Sequence, residues 1–123
     1  MSVRRILLVD DSETLLQIEQ MILSKLRLEV LTARDGEEGV AKALESPPDI
    51  ILMDVIMPKM GGFEAVRRLR ELDPTKTVPI VMVTTEAEAE SMEKGYLTGC
   101  NDYIVKPIDA DELVAKVKNL LGE

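Results

Sequence analysis

The chain contains no histidine among its 123 residues, and this absence limits the chemistry that it can perform alone. Without histidine a Ser–His–Asp triad and most zinc sites are excluded, and no residue can carry a phosphohistidine. Cys100 is the only cysteine, so no intrachain disulfide can form, and a reducing, cytoplasmic location is expected. Phosphoryl transfer through histidine would therefore need a histidine from another protein.

Aromatic residues make up only 2% of the chain, so an aliphatic core is expected from its 46% of hydrophobic residues. The formal charge of −8 argues against nucleic acid as a direct partner, because an acidic surface repels phosphate backbones. The sequence shows neither a signal-peptide core nor a long apolar run, so membrane insertion is not expected.

Five short apolar segments alternate with amphipathic segments along the whole chain. Helical spacing is seen after Ser12, a candidate N-cap, and Asp109 is the expected cap of the last helix. The expected strands cover about residues 6–9, 29–33, 50–53, 79–83 and 103–105. The first helix is predicted from an apolar stripe of Leu15, Ile18, Ile22 and Leu26.

This βα order predicts an α/β fold with a parallel sheet covered by helices on both faces. Right-handed crossovers leave either a doubly wound sandwich or a barrel, and five βα units are too few for an eight-stranded barrel. Residues 1–123 are therefore expected to form one doubly wound domain, with no output domain attached.

Five polar residues each follow an apolar strand directly: Asp10, Asp11, Asp54, Thr84 and Lys106. Since sites in open parallel sheets form beyond the carboxyl ends of the strands, these side chains are expected at one edge. Any one of them alone could be a helix cap or a solvated turn residue. Their shared placement indicates one common site.

The three acids predict a site for a hard cation. Two carboxylates about 4–5 Å apart repel by roughly 3–4 kcal/mol at an effective dielectric near 20, which favours raised pKa values or a bound cation. Oxygen ligands with open positions favour Mg²⁺, for which Mn²⁺ can substitute. Asp54 could then act as a nucleophile on phosphorus, with Lys106 and Thr84 meeting the phosphoryl oxygens.

Along its whole length the sequence resembles the CheY-like receiver domain of bacterial response regulators. The resemblance rests on four motifs in order: Asp10-Asp11, residues 53–58 (MDVIMP) with Gly61-Gly62, residues 84–86 (TTE), and residues 103–107 (YIVKP). It implies a flavodoxin-like (βα)5 fold with strand order 2-1-3-4-5.

The resemblance also implies roles for individual residues. Asp54 would be the phosphorylation site, and Mg²⁺ would be bound by Asp11, Asp54 and the backbone carbonyl of Ile56, with Asp10 supporting through water. Lys106 would contact the phosphoryl group and precede a cis bond to Pro107. Thr84 and Tyr103 would form a switch that changes the face of helix 4, strand 5 and helix 5. Ile56 and Glu86 would border the phosphoryl group and modify its lifetime.

A stand-alone receiver would take its phosphoryl group from a histidine kinase or a histidine phosphotransfer protein and signal to a separate effector protein. A shuttle or sink in a phosphorelay is the alternative role. No enzymatic turnover of an outside substrate is expected. A small aspartyl-phosphate hydrolase is disfavoured because such enzymes place the nucleophile after strand one, with a second acid two residues on. The complete acidic site disfavours a degenerate receiver that binds partners without phosphorylation.

Overall fold

The computed structural model describes residues 3–85, 87–90 and 99–123. Strands and helices alternate through these ranges, as the sequence predicts. They are β1 (Arg5–Val9), α1 (Glu13–Leu23), β2 (Glu29–Ala33), α2 (Gly36–Glu45), β3 (Ile50–Asp54), α3 (Gly62–Glu71), β4 (Ile80–Thr84), α4 (helical residues 87–90), β5 (Asp102–Val105) and α5 (Ala110–Leu121). Short 3-10 turns cover Ser24–Leu26 and Asp73–Thr75.

The five strands form one parallel sheet in the order β2-β1-β3-β4-β5. This is the predicted doubly wound order, with β1 and β3 adjacent at its centre. Asp54 stands opposite Val83, and Thr84 stands opposite Val105. The carboxyl ends of β3, β4 and β5 therefore lie level at one edge.

The core forms two layers, one on each face of the sheet. Every residue of β3 and β4 is buried, because helices cover both faces. Helices α1 and α5 pack on one face through Leu16, Leu23, Leu113, Val117 and Leu121. Helices α2 and α3 cover the other face through Val40, Ala43, Ala65, Val66 and Leu69. Within the described ranges, no helix is long and apolar enough to cross a membrane.

Two predicted helix caps are confirmed, and one strand boundary is corrected. Ser12 Oγ accepts a hydrogen bond from Leu15 N at 3.2 Å. Asp109 Oδ1 accepts one from Glu112 N at 2.9 Å. Strand β4 begins at Ile80 rather than at Pro79, whose carbonyl accepts a hydrogen bond from the strand β3 at 2.9 Å.

The apolar stripe that predicts α1 is confirmed only in part, because Ile22 and Leu26 pack partly buried against the core but do not mark the centre of the buried face. The buried residues are Leu16, Glu19 and Leu23, whereas Ile18 is 41% exposed. A pattern built from apolar residues alone cannot find this face, because its middle position is an acid. Glu19 is only 1% exposed.

The site also depends on a close approach between β3 and α3. A Cβ on Gly62 would lie 2.3 Å from the carbonyl oxygen of Asp54 and 2.9 Å from the Cα of Val55. Gly62 N donates to the carbonyl of Val55 at 2.8 Å. Glycine is therefore required for α3 to begin directly beside the end of β3.

Candidate functional site

Three carboxylates converge at the carboxyl edge of the sheet. Asp10 and Asp11 follow β1, and Asp54 ends the adjacent strand β3. Each offers an oxygen that lies within 4.8 Å of the other two. Asp10 is 1% exposed and Asp54 4% exposed, while Asp11 lies at the surface. The edge is thus a partly buried cluster of oxygen donors that opens at Asp11.

Lys106 places a cation directly against Asp54. Its Nζ lies 3.0 Å from Asp54 Oδ1, and its backbone N–H donates to the carbonyl of Thr84 at 2.7 Å. The following peptide bond to Pro107 is cis, as the resemblance implied. Lys106 is therefore held beside β4 with its side chain turned to the acids.

A cleft of about 230 Å³ opens beside this pair. Ile56 stands in its wall with 63% of its surface exposed, whereas Thr84 is only 2% exposed. Thr84 Oγ1 donates to the carbonyl of Thr85 at 3.3 Å. The cleft is lined by Asp11, Asp54, Val55, Ile56, Val83, Thr84, Thr85, Glu88 and Lys106.

Burial disfavours negative charge at the two inner acids. Burial raises the pKa of Asp10 to about 6, although the backbone N–H of Ser12 opposes this and the charge of Asp54 adds to it. Burial also raises the pKa of Asp54, against the opposing hydrogen bond and charge of Lys106. For Lys106, burial lowers the pKa, but Asp54 and the other acids outweigh it and the net shift is upward. Lys106 is thus the cation that favours the ionised form of the two inner acids against the effect of their burial.

Glu19 is a fourth acid near this cluster that the sequence did not reveal. Burial raises its pKa to about 8, and the charges of Asp10 and Asp54 add to the shift while Lys106 opposes it. Its Oε1 is buried and has no hydrogen-bond partner among the described residues. The signal available in the sequence was a lone acid three residues after Leu16 and four before Leu23, at core spacing on α1.

The residues fit a bound Mg²⁺ ion. Asp10 Oδ2 is buried without a hydrogen-bond partner in the described part of the chain. An ionised oxygen of this kind is costly unless a proton or a cation satisfies it. The donors are all carboxylate oxygens, and Asp11 at the surface leaves an open side, which suits an ion that keeps several waters.

The remaining predicted residues are not all in the cleft. Tyr103 lies on β5 opposite Met82 and is partly buried, outside the described cleft wall. Glu86 falls outside the described residues. Glu88, which the sequence did not indicate as a site residue, lines the cleft, and its backbone N–H donates to Thr85 Oγ1 at 3.3 Å.

Known proteins share both the sequence and the fold. Residues 6–118 match the family described as the response regulator receiver domain. The protein PilH of Pseudomonas aeruginosa is 38% identical over 118 residues, which cover 96% of this chain and 98% of PilH. The chain spans about half the length of several other curated relatives that it matches.

Solved structures give the same result. The chemotaxis response regulator CheY4 of Vibrio cholerae superposes with a TM-score of 0.89 at 36% identity, covering 97% of this chain and 99% of CheY4. The receiver domain of a sensor histidine kinase from Pseudomonas aeruginosa gives a TM-score of 0.89 at 30% identity, covering 99% of this chain and 100% of that domain. That structure is described with a magnesium ion coordinated in its active-site cleft.

The matched range takes in every acid of the edge together with Lys106, so the family assignment and the site geometry concern the same residues. The resemblance drawn from the four motifs is confirmed. The chain belongs to the response regulator receiver domain family of two-component signalling.

Proposed function

We propose that the chain is a phosphorylatable signalling switch of a two-component, chemotaxis-type system, with Asp54 as its phosphoacceptor. One observation carries this proposal. Asp54 is buried, lies 3.0 Å from the Lys106 ammonium, and shares its edge with two further carboxylates within 4.8 Å. A structural ion pair alone would not require these additional acids.

Asp54 supplies the nucleophile. A carboxylate oxygen attacks phosphorus, the O–P bond forms as the P–N bond to a donor phosphohistidine breaks, and the histidine imidazole leaves. The donor histidine must belong to another protein, since this chain has none. Burial raises the pKa of Asp54, and the charge of Lys106 opposes that shift and favours the ionised form that can attack.

Two cleft residues are placed to meet charge on the transferred group. Lys106 lines the cleft 3.0 Å from Asp54, so its ammonium can stabilise a phosphoryl oxygen. Thr84 lies in the cleft wall and its hydroxyl can donate to a second oxygen. In the present structure that hydroxyl donates to the carbonyl of Thr85. It must therefore rotate before it can donate to a phosphoryl oxygen.

The proposed binding site for Mg²⁺, or for Mn²⁺ in its place, consists of Asp10, Asp11, Asp54 and the backbone carbonyl of Ile56. When bound, the metal neutralises charge on the phosphoryl oxygens and the acids. The buried Oδ2 of Asp10, which has no hydrogen-bond partner among the described residues, supports this assignment.

Thr84 and Tyr103 are the proposed switch residues. Thr84 is 2% exposed and ends β4, while Tyr103 lies one strand away on β5, at the edge of the sheet. Movement of Thr84 toward a phosphoryl oxygen would change the packing of β5. The surface of α4, β5 and α5 would then change its affinity for a separate effector protein.

Two further residues are proposed to set how long the phosphoryl group lasts. Ile56 presents 63% of its surface at the cleft and can hinder an attacking water. Glu86 is proposed from its position two residues after Thr84.

The proposed phosphoryl donor is a histidine kinase or a histidine phosphotransfer protein, and the proposed location is the cytoplasm. Neither nucleic acid nor membrane insertion is part of this function, and a shuttle or sink in a phosphorelay is the alternative role.

The direct test is incubation of the full chain with magnesium and acetyl phosphate, followed by intact mass measurement. One added phosphoryl group is expected, because Asp54 is the buried acid paired with Lys106. EDTA should prevent its addition. Asp54→Asn should remove it, whereas Asp49→Asn, at an exposed aspartate just before β3, should leave it unchanged.

A phosphoryl group that persists in Asp54→Asn would overturn the site assignment. Pull-down with and without a stable phosphoryl mimic then separates a switch that binds an effector from a phosphorelay shuttle. An effector is retained more strongly by the mimic-bound chain, whereas a shuttle returns its phosphoryl group to a histidine phosphotransfer protein. Partner binding that ignores the mimic contradicts the switch.

A further inference from the structure

Lys116 on α5 contacts the strand that carries the proposed switch residue. Its Nζ donates to the carbonyl oxygen of Tyr103 at 2.6 Å and to Asp102 Oδ1 at 3.1 Å. Glu112 Oε2 lies 3.4 Å from the same nitrogen, one helical turn earlier. The ammonium is therefore held by two hydrogen bonds and by a longer ion-pair contact with Glu112.

The same ammonium lies over the ring of Tyr103. Nζ is 5.6 Å from the ring centroid, within the range of a cation–π contact. Burial by itself would lower the pKa of Lys116, but the hydrogen bond and charge of Asp102, with the charge of Glu112, outweigh it and raise the pKa. The residue is therefore a cation fixed in place rather than a free surface lysine.

Tyr103 is also held through its backbone on the open side of the sheet. Strand β5 is outermost, so part of its backbone has no neighbouring strand to pair with. Tyr103 N donates to Asp102 Oδ1 at 2.8 Å, and its carbonyl accepts from Lys116. Asp102 and Lys116 thus bind each other and both main-chain polar groups of Tyr103.

We propose that Lys116 is the positioning residue of the Tyr103 switch, holding the ring and main chain of Tyr103 in the unphosphorylated arrangement. This inference rests on the proposed function, in which Thr84 and Tyr103 form the switch, and it adds that phosphorylation of Asp54 moves the Tyr103 ring away from Lys116. A ring that leaves the ammonium gives up the cation–π contact, so Lys116 opposes the phosphorylated arrangement. Coupling between two sites is reciprocal, so removing Lys116 should strengthen binding of a phosphoryl mimic at Asp54.

The test uses the full chain labelled with fluorotyrosine and titrated with magnesium plus beryllofluoride. The chain has only two tyrosines, so Tyr96→Phe as the background leaves the Tyr103 fluorine signal alone. Lys116→Met is expected to move the signal of the untreated protein toward its beryllofluoride position. It should also tighten the apparent beryllofluoride affinity roughly two- to fivefold, the factor that one cation–π contact corresponds to.

Three companion variants separate positioning from general stability. Lys118→Met, at an exposed lysine two residues along α5, should match the unmodified background in both readouts. Lys116→Arg keeps the charge and the donors and should restore the background signal. Asp102→Asn removes one anchor of the ammonium and should shift the signal in the same direction as Lys116→Met, but less.

The outcomes distinguish this inference from the function beneath it. If the fluorine signal of the Tyr96→Phe background does not respond to beryllofluoride, Tyr103 is not a switch residue. The proposed switch role of Tyr103 and the proposed role of Lys116 are then both overturned. If the background responds and Lys116→Met has the same starting signal and affinity, only the role of Lys116 is overturned. Equal effects of Lys116→Met and Lys118→Met would also overturn it, since a general change in helix charge would then explain the result.

Discussion

The two ends of the sheet hold charged side chains in opposite ways. At the amino ends of β4 and β5, the guanidinium of Arg70 donates to the carbonyls of Gly99 at 2.9 Å and Val78 at 2.7 Å, and to Asn101 Oδ1 at 3.0 Å. At the carboxyl ends, a buried oxygen of Asp10 has no partner in the described part of the chain.

This difference separates stability from function. Arg70 also reaches the carbonyls of Thr75 at 3.1 Å and Lys76 at 3.3 Å, so one side chain joins α3, the turn after it and the start of two strands. All of its partners lie within the chain. The carboxyl edge concentrates acids, and among the described residues Lys106 is the one cation paired with them, which is costly unless something outside the chain binds there.

The largest change in the free energy of unfolding is expected from a substitution at the amino ends of the strands. Arg70→Met keeps the aliphatic stem but leaves three partly buried carbonyls without their shared donor, so the free energy of unfolding should fall by roughly 3–5 kcal/mol. Urea unfolding monitored by circular dichroism measures this. Arg68→Met, at an exposed arginine of the same helix, should change it by less than about 0.5 kcal/mol. Equal losses would remove the special role of Arg70.

The next effect concerns Glu19 and depends on pH. Its pKa is raised from 4.5 to about 8, so between these values the folded chain holds a proton that the unfolded chain has lost. Stability therefore falls as pH rises through this window, and the cost is absent below pH 4.5. As the pH rises from 4.5 to 7, the free energy of unfolding of Glu19→Leu should therefore increase by about 3 kcal/mol relative to that of the parent protein.

The measurement is urea unfolding at several pH values, and the slope against pH is the quantity compared. Glu45→Leu replaces an exposed acid at the end of α2 and should keep the slope of the parent protein. A Glu19→Leu slope equal to that of the parent protein would show that Glu19 does not hold this proton.

Much of the fold could be predicted because apolar strands and their polar ends are local signals. Residues 50–54 (IILMD) give both a buried strand and the acid at its end, and the same logic located Thr84 and Lys106. The parallel order then brings these residues to one edge without any knowledge of side-chain contacts. The predicted caps Ser12 and Asp109 are confirmed for the same reason, since a cap and its partner lie three residues apart.

The rest depended on contacts between distant residues. Arg70 bonds Gly99 and Asn101, 29 and 31 residues away, and mainly through backbone carbonyls that have no sequence signature. Glu19 was missed because an apolar pattern treats an acid as a surface residue. Lys116 contacts Tyr103 from another element, 13 residues along the chain, so its position over the ring could not be read from spacing.

The smallest effect, and the most direct test of the comparison between the two ends, is the response of stability to magnesium. If the carboxyl edge is left incomplete for a divalent cation, Mg²⁺ should raise the free energy of unfolding of the parent protein. The expected rise is about 1.4 kcal/mol at a concentration ten times Kd. Arg68→Met should retain this gain, and Asp11→Asn should lose most of it, because Asp11 belongs to the acid cluster. No rise in the parent protein, or an equal rise in Asp11→Asn, would contradict the account.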